Sequence, residues 1–134
     1  MAYLAVLAKL DAERKRTFGA VATVSRLELA QFDKVEAVLT WLEAHEPKVV
    51  VFDAAVVQAE KLCRKVRSKK NLASVPIIAI AEEPTDALVE RLYAQGADDV
   101  IPSALGASLV ARLKALPDRE TLTQATHGIA VVAD

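Results

Sequence analysis

The sequence predicts an α/β fold: five parallel strands in the order 2-1-3-4-5, doubly wound, with helices on both faces of the sheet as a three-layer sandwich. Three observations predict it. Short apolar runs alternate along the chain with amphipathic stretches, the pattern of βα units around a parallel sheet. The run 49–57, VVVFDAAVV, has the unbroken hydrophobicity of a strand buried on both faces, and an acid, Asp53, interrupts it. Finally, 53% of the 134 residues are hydrophobic, so one domain of this length buries about two thirds of its unfolded surface.

Each element has a local reason. YLAVLA (3–8) reads as a first buried strand, and Asp11 caps a helix with Phe18, Val21 and Val24 on one side. RLELAQF (26–32) alternates like a strand covered on one face. Asp33 is expected to cap the second helix, where Val35, Val38, Leu39 and Leu42 recur at helical spacing until Pro47 stops it. KVVVF (48–52) is the third strand, followed by a helix with Ala59, Leu62, Cys63 and Val66 in one stripe. VPIIAIA (75–81) is the fourth strand, with Pro76 tolerated among its first residues. A helix from Asp86 to Gln95 ends at Gly96, in the C′ position glycine favours. DVIP (99–102) is a short fifth strand and GASLVARLKAL (106–116) the last helix. Pro117 closes a domain over 1–117. Residues 118–134 are expected to be a polar linker and then, in IAVVAD (129–134), the first strand of a following domain in a longer protein.

Composition narrows the functional classes. A net charge of −1 supplies no global field toward nucleic acid or acidic lipid. The longest apolar runs fall short of the ~20 residues a membrane-spanning helix needs, and the amino-terminal stretch MAYLAVLAKLDAERKR lacks the basic start and cleavage site of a signal peptide. With Cys63 as its one cysteine, the chain forms no internal disulfide, and a cytoplasmic location is expected. Open parallel sheets bind and react beyond the carboxyl ends of their strands, where the strand order reverses. Here that switch point lies between strands 1 and 3, at Ala8, Lys9 and Asp53, with Ala81 and Ser103 from strands 4 and 5.

The arrangement resembles the receiver domain of bacterial response regulators, a flavodoxin-like fold. KVVVFD resembles the strand that carries the family's phosphoacceptor aspartate, which maps to Asp53. AEKLCRKVRSKKNLASVPIIAIAE resembles the third helix, loop and fourth strand, and AQGADDVIPSAL resembles the family's G-A-D-D-Y-x-x-K-P-F segment through Gly96, Ala97, Asp98 and Asp99. The resemblance covers residues 3–116 and implies a part in two-component signal transduction. It also implies an interaction face built from the fourth helix, fifth strand and fifth helix, here represented by Leu88, Tyr93, Val100 and Leu105.

Receiver chemistry needs two further acids after strand 1 to hold a divalent cation, a threonine or serine after strand 4 and a lysine after strand 5. Those positions carry Ala8 and Lys9, Ala81, and Ser103, while the strand-5 aromatic is Val100 and the proline after the lysine is Ala104. A complete site is formally anionic and attracts a divalent ion, but Asp53 and Lys9 cancel. Hard divalent cations need several oxygen ligands to compensate for dehydration, so no metal and no cofactor is expected. The expectation is a degenerate, non-catalytic pseudo-receiver of a bacterial signalling protein. It would act by protein–protein interaction or dimerisation, with other signalling proteins or a downstream domain as partners, and neither nucleic acid nor membrane. Two alternatives stay open: an atypical phosphoacceptor at Asp53 in which Lys9 binds the phosphoryl group, and a small-ligand (nucleotide) sensor that uses the vacated switch-point pocket, which nucleotide binding lost on mutating the Arg64–Lys70 cluster would favour.

Lys9 has two readings. Its ammonium either reaches Asp53 and replaces the missing cation, or extends to solvent while Asp53 accepts backbone N–H bonds. The basic run Arg64, Lys65, Arg67, Lys69 and Lys70 reads as a solvated helix end, Glu82 and Glu83 as part of a loop and helix cap, and Cys63 as core. His45 and His127 stand alone and form no metal site.

Overall fold

The computed structural model describes residues 2–102 and 106–115. Five βα units follow one another: β1 (Tyr3–Leu7), α1 (Ala12–Val24), β2 (Glu28–Phe32), α2 (Val35–Leu42), β3 (Val49–Asp53), α3 (Ala59–Ser68), β4 (Ile77–Ile80), α4 (Asp86–Ala94), β5 (Asp99–Ile101) and α5 (Gly106–Ala115). All strand pairs are parallel, in the order β2-β1-β3-β4-β5, as the sequence predicts. Ser103, Ala104, Leu105, Pro117, His127 and the segment 118–134 lie outside the described residues.

The pleat explains why two apolar layers form. Ala5, Leu7, Val50, Phe52, Ile77 and Ala79 pack with α2, α3 and α4, whereas Leu4, Val6, Val49, Val51, Ile78 and Ile80 pack with Phe18, Val21, Ala22 and Leu109 of α1 and α5. Successive strand residues point to opposite faces, so a strand covered on both sides is apolar along its length, with a polar residue tolerated at its end where it has partners. β3 is buried at every position, its final residue Asp53 included.

Several boundaries differ from the sequence reading. β3 runs one residue further than expected and ends on Asp53 itself. β2 starts at Glu28, because Arg26 and Leu27 complete the end of α1: Arg26 N–H bonds Thr23 O at 3.2 Å and Leu27 N–H bonds Ala22 O at 2.8 Å. This is the paired closure of a Schellman motif; Val24, in the last turn of α1, is 59% exposed and does not join the stripe assigned to it. The cap of α2 is Lys34 rather than Asp33, with no side-chain cap bond, and the helix ends at Leu42, before Pro47 acts on it. α1 is capped as expected: Asp11 Oδ1 accepts the Arg14 N–H at 2.7 Å. At α4 the cap is Thr85, whose hydroxyl accepts the Leu88 N–H at 3.2 Å.

The basic run at the end of α3 is not uniformly a solvated helix end. Arg67 turns inward, donating to Gly96 O from Nε (3.0 Å) and Nη2 (2.8 Å), to Ala73 O and Val75 O from Nη1, and to Asp98 Oδ2 at 2.8 Å. Asp98 Oδ2 also accepts the Ile77 N–H at 2.8 Å. Gly96 sits at φ +116°, and a Cβ there would lie 2.6 Å from Arg67 Cγ. Gly96 and Asp98 are therefore parts of a lock that joins α3, the start of β4 and the entry to β5.

Candidate functional site

The carboxyl ends of β1 and β3 diverge at the switch in strand order, and a cavity of about 610 Å³ opens there. Its lining includes Lys9, Arg14, Asp33, Lys34, Glu36 and Asp53. These three cations and three anions cancel, so the cavity has no strong preference for either sign of ligand. Asp53 is placed by strand geometry: it is the last residue of β3, opposite Ile80 of β4, and only 7% exposed. Ala8 and Ala81 are buried on either side of it in sequence order of the sheet, each held by a strand-end bond, Ala8 N–H to Phe32 O and Ala81 N–H to Ile101 O, both 2.9 Å. Their methyl groups offer no ligand atom.

Both Asp53 oxygens have partners. Oδ1 accepts the Ala55 N–H at 2.8 Å, and Oδ2 faces Arg14 Nη2 at 3.4 Å. Arg14 is in turn fixed by the helix cap, its Nη1 donating to Asp11 Oδ2 at 2.8 Å. One guanidinium thus spans two carboxylates, from the start of α1 to the end of β3. The Asp11 hydrogen bond, followed by the charges of Asp53, Asp11 and Glu82, raises Arg14 above its already high ordinary value. The backbone N–H of Arg14, then its side chain, holds the Asp11 carboxyl below the usual carboxylate value.

Lys9 does not make this contact. It lines the same cavity but is exposed and forms no ion pair among the described residues. Arg14 is the residue that sequence reasoning missed. The available signal was its spacing: three residues after the cap Asp11, it lies on the turn of α1 that faces the switch point.

A divalent cation of the kind receivers hold does not fit this donor set. Asp53 is the one carboxylate at the three acid positions, and the guanidinium lies against its outer oxygen. A cation there would meet Arg14 directly, and Lys9 in place of a second acid adds to the repulsion. Among the described residues, no group of three or more His, Cys, Asp or Glu side chains is arranged to hold a metal ion.

The remaining candidates disperse. Leu88 and Val100 are partly buried against the α2–α4 side of the core, while Tyr93 reaches solvent at 46% exposure. Cys63 is buried, its thiol donating to Gln95 O at 3.2 Å. His45 stacks on Trp41 at 4.5 Å between ring centroids, with Tyr3 edge-on to both. Arg64 lines a polar cleft with Glu60, Arg91 and Gln95 that does not include Asp53 but reaches Ala54 beside it and shares Val56 and Gln58 with the Asp53 cavity. Glu83 adopts φ 46° in the loop after β4, and the cap role there belongs to Thr85. No described helix is long and apolar enough to cross a membrane.

No protein-family model matches this sequence, and no curated protein matches it significantly. Solved structures do match in three dimensions. The signal receiver domain of a DNA-binding response regulator from Colwellia psychrerythraea superposes with a TM-score of 0.71 at 17% identity, over 95% of this chain and 99% of that one. The beryllofluoride-activated DrrB receiver domain gives 0.71 at 19% identity, over 85% and 96%. An orphan response regulator of H. pylori gives 0.71 at 18% identity, over 84% and 94%. The chain has the receiver-domain fold.

Proposed function

We propose that this domain is a pseudo-receiver: a signalling module that acts by protein–protein contact or self-association, with no dependence on phosphorylation of Asp53. The observation that carries this reading is the Arg14 guanidinium 3.4 Å from Asp53 Oδ2, in a site where Ala8, Lys9 and Ala81 replace an acid pair and a hydroxyl. Aspartyl phosphorylation adds charge that a receiver offsets with a divalent ion and a lysine. Here the arginine already neutralises the carboxylate and lies where an incoming phosphoryl group and its metal would gather. The pair thereby supports one fixed arrangement of the switch point. Tyr93 on α4, 46% exposed, is the member of the expected interaction face best placed to meet a partner.

The test pairs chemistry with assembly. The protein is incubated with acetyl phosphate and Mg²⁺ and weighed intact, and its sedimentation is compared with that of Asp53→Asn. The expected result is no phosphoryl adduct and the same association state for both proteins. An adduct that is lost in Asp53→Asn and changes sedimentation would overturn the proposal.

A further inference from the structure

The opposite end of the sheet holds a second cavity, of about 500 Å³, at the amino ends of β3 and β4. Its floor is apolar, formed by Leu27, Val49, Val75 and Leu113, and its rim carries Arg26, Lys48 and Lys114. The described lining contains no carboxylate, and none of these three cations forms an ion pair among the described residues. That distinguishes it from the neutral cavity beside Asp53. Unpaired cations around a low-dielectric floor focus a positive potential, and an apolar pocket with a few polar groups suits a small ligand.

Two further observations point the same way. Ser25 is among the lining residues, and its Oγ is buried without a hydrogen-bond partner, whereas a buried hydroxyl ordinarily has one. Arg26 adopts φ 57° at the C′ position of α1, where glycine is the usual residue because other side chains are strained there. A strained position thus carries the long cationic side chain on the rim. Lysine and arginine also complement the carbonyl ends of helices such as α1 and α5, but that role requires neither an apolar floor nor the strained site.

We propose that this cavity binds a small organic anion: an apolar, ring-sized body seated on Leu27, Val49, Val75 and Leu113, with its acidic group among Arg26, Lys48, Lys114 and the Ser25 hydroxyl. The site is separate from Asp53 and does not depend on the state of the switch point. The 134-residue protein labelled with ¹⁵N is titrated with 2-naphthoate, and with 2-naphthalenemethanol as a neutral analogue of similar shape. Saturable shifts are expected at the amides of Val24–Leu27, Val49, Ser74, Val75 and Leu113, with the neutral analogue binding about tenfold more weakly, as loss of one good ionic contact predicts. Arg26→Gly relieves the backbone strain, so it should keep or raise the melting temperature while weakening naphthoate binding several-fold. Equal binding of the two probes, shifts centred on Asp53, or no saturable shift would overturn the proposal. So would unchanged naphthoate affinity in Arg26→Gly, which would leave the cations as helix-end charges alone.

Discussion

Arg14 Nη2 and Asp53 Oδ2 lie 3.4 Å apart, joining the first turn of α1 to the carboxyl end of β3 across 39 positions of sequence. Two unit charges at about 4 Å attract by about 1 kcal/mol in water and about 4 kcal/mol at an intermediate effective dielectric. Because the Arg14 side chain is 29% exposed, solvent screening reduces the net effect toward the lower figure. The pair matters more for the proposed function: it sets a cation built into the chain against the carboxylate that a divalent ion would need.

Arg14 and Lys9 therefore separate experimentally. Arg14→Ala leaves Asp53 buried with the Ala55 N–H as its remaining bond among the described residues and is expected to cost about 1–2 kcal/mol in urea unfolding, below the figure for a fully buried pair. Lys9→Ala removes an exposed side chain with no ion-pair partner among the described residues and should change stability by less than about 0.5 kcal/mol. The reverse order would assign the pairing to Lys9.

The lock around Gly96 makes a stronger prediction. Asp98→Ala removes the shared acceptor of Arg67 Nη2 and the Ile77 N–H, leaving a mostly buried guanidinium and a strand-start donor short of one bond each. A loss of about 3 kcal/mol is expected. Gly96→Ala combines a backbone at φ +116° with a 2.6 Å approach to Arg67 Cγ and should cost about 2 kcal/mol or more. Denaturant midpoints at neutral pH check both, and wild-type values for either would show that the lock contributes little.

Acid sensitivity follows from Glu60. It accepts Arg91 Nε at 2.7 Å and Nη2 at 3.1 Å, and Gln95 Nε2 at 2.9 Å, tying α3 to α4. The Arg91 hydrogen bond holds the Glu60 carboxyl below its ordinary value of 4.5. A group lowered on folding binds fewer protons in the folded state than in the unfolded one. Its contribution is thus present above pH 4.5 and is lost as the pH falls through the lower folded value. Glu60→Gln should flatten the decline of melting temperature with pH below that point. An unchanged slope would place the acid sensitivity elsewhere.

What the sequence made legible depended on how local the cause was. VVVF announced β3 because burial on both faces favours apolar side chains, while the buried Asp53 that ends the strand fell outside the expected range. The Schellman closure was hidden because its C′ residue is Arg26 rather than glycine, so the end of α1 read as the start of β2. Arg14 and Arg67 were obscured for a related reason. Each stands in a basic run, DAERKR or RKVRSKK, whose composition suggests a solvated surface, and only the tertiary fold selects one guanidinium from each run to turn inward. The Gly96–Asp99 match was visible as the most specific resemblance. Its physical content, a structural lock rather than chemistry, required the partner residue from α3.

The most direct test of the account is an NMR titration of the domain with Mg²⁺ followed by beryllofluoride, read at the amides of Asp53, Ala54, Ala55 and Ala81. With Arg14 on the carboxylate and Ala8 and Lys9 at the positions that follow β1, the predicted response is flat through millimolar Mg²⁺ and unchanged on adding beryllofluoride. Saturable shifts centred on Asp53 would contradict the account, because they would show that the cation site persists and that Arg14 yields to it.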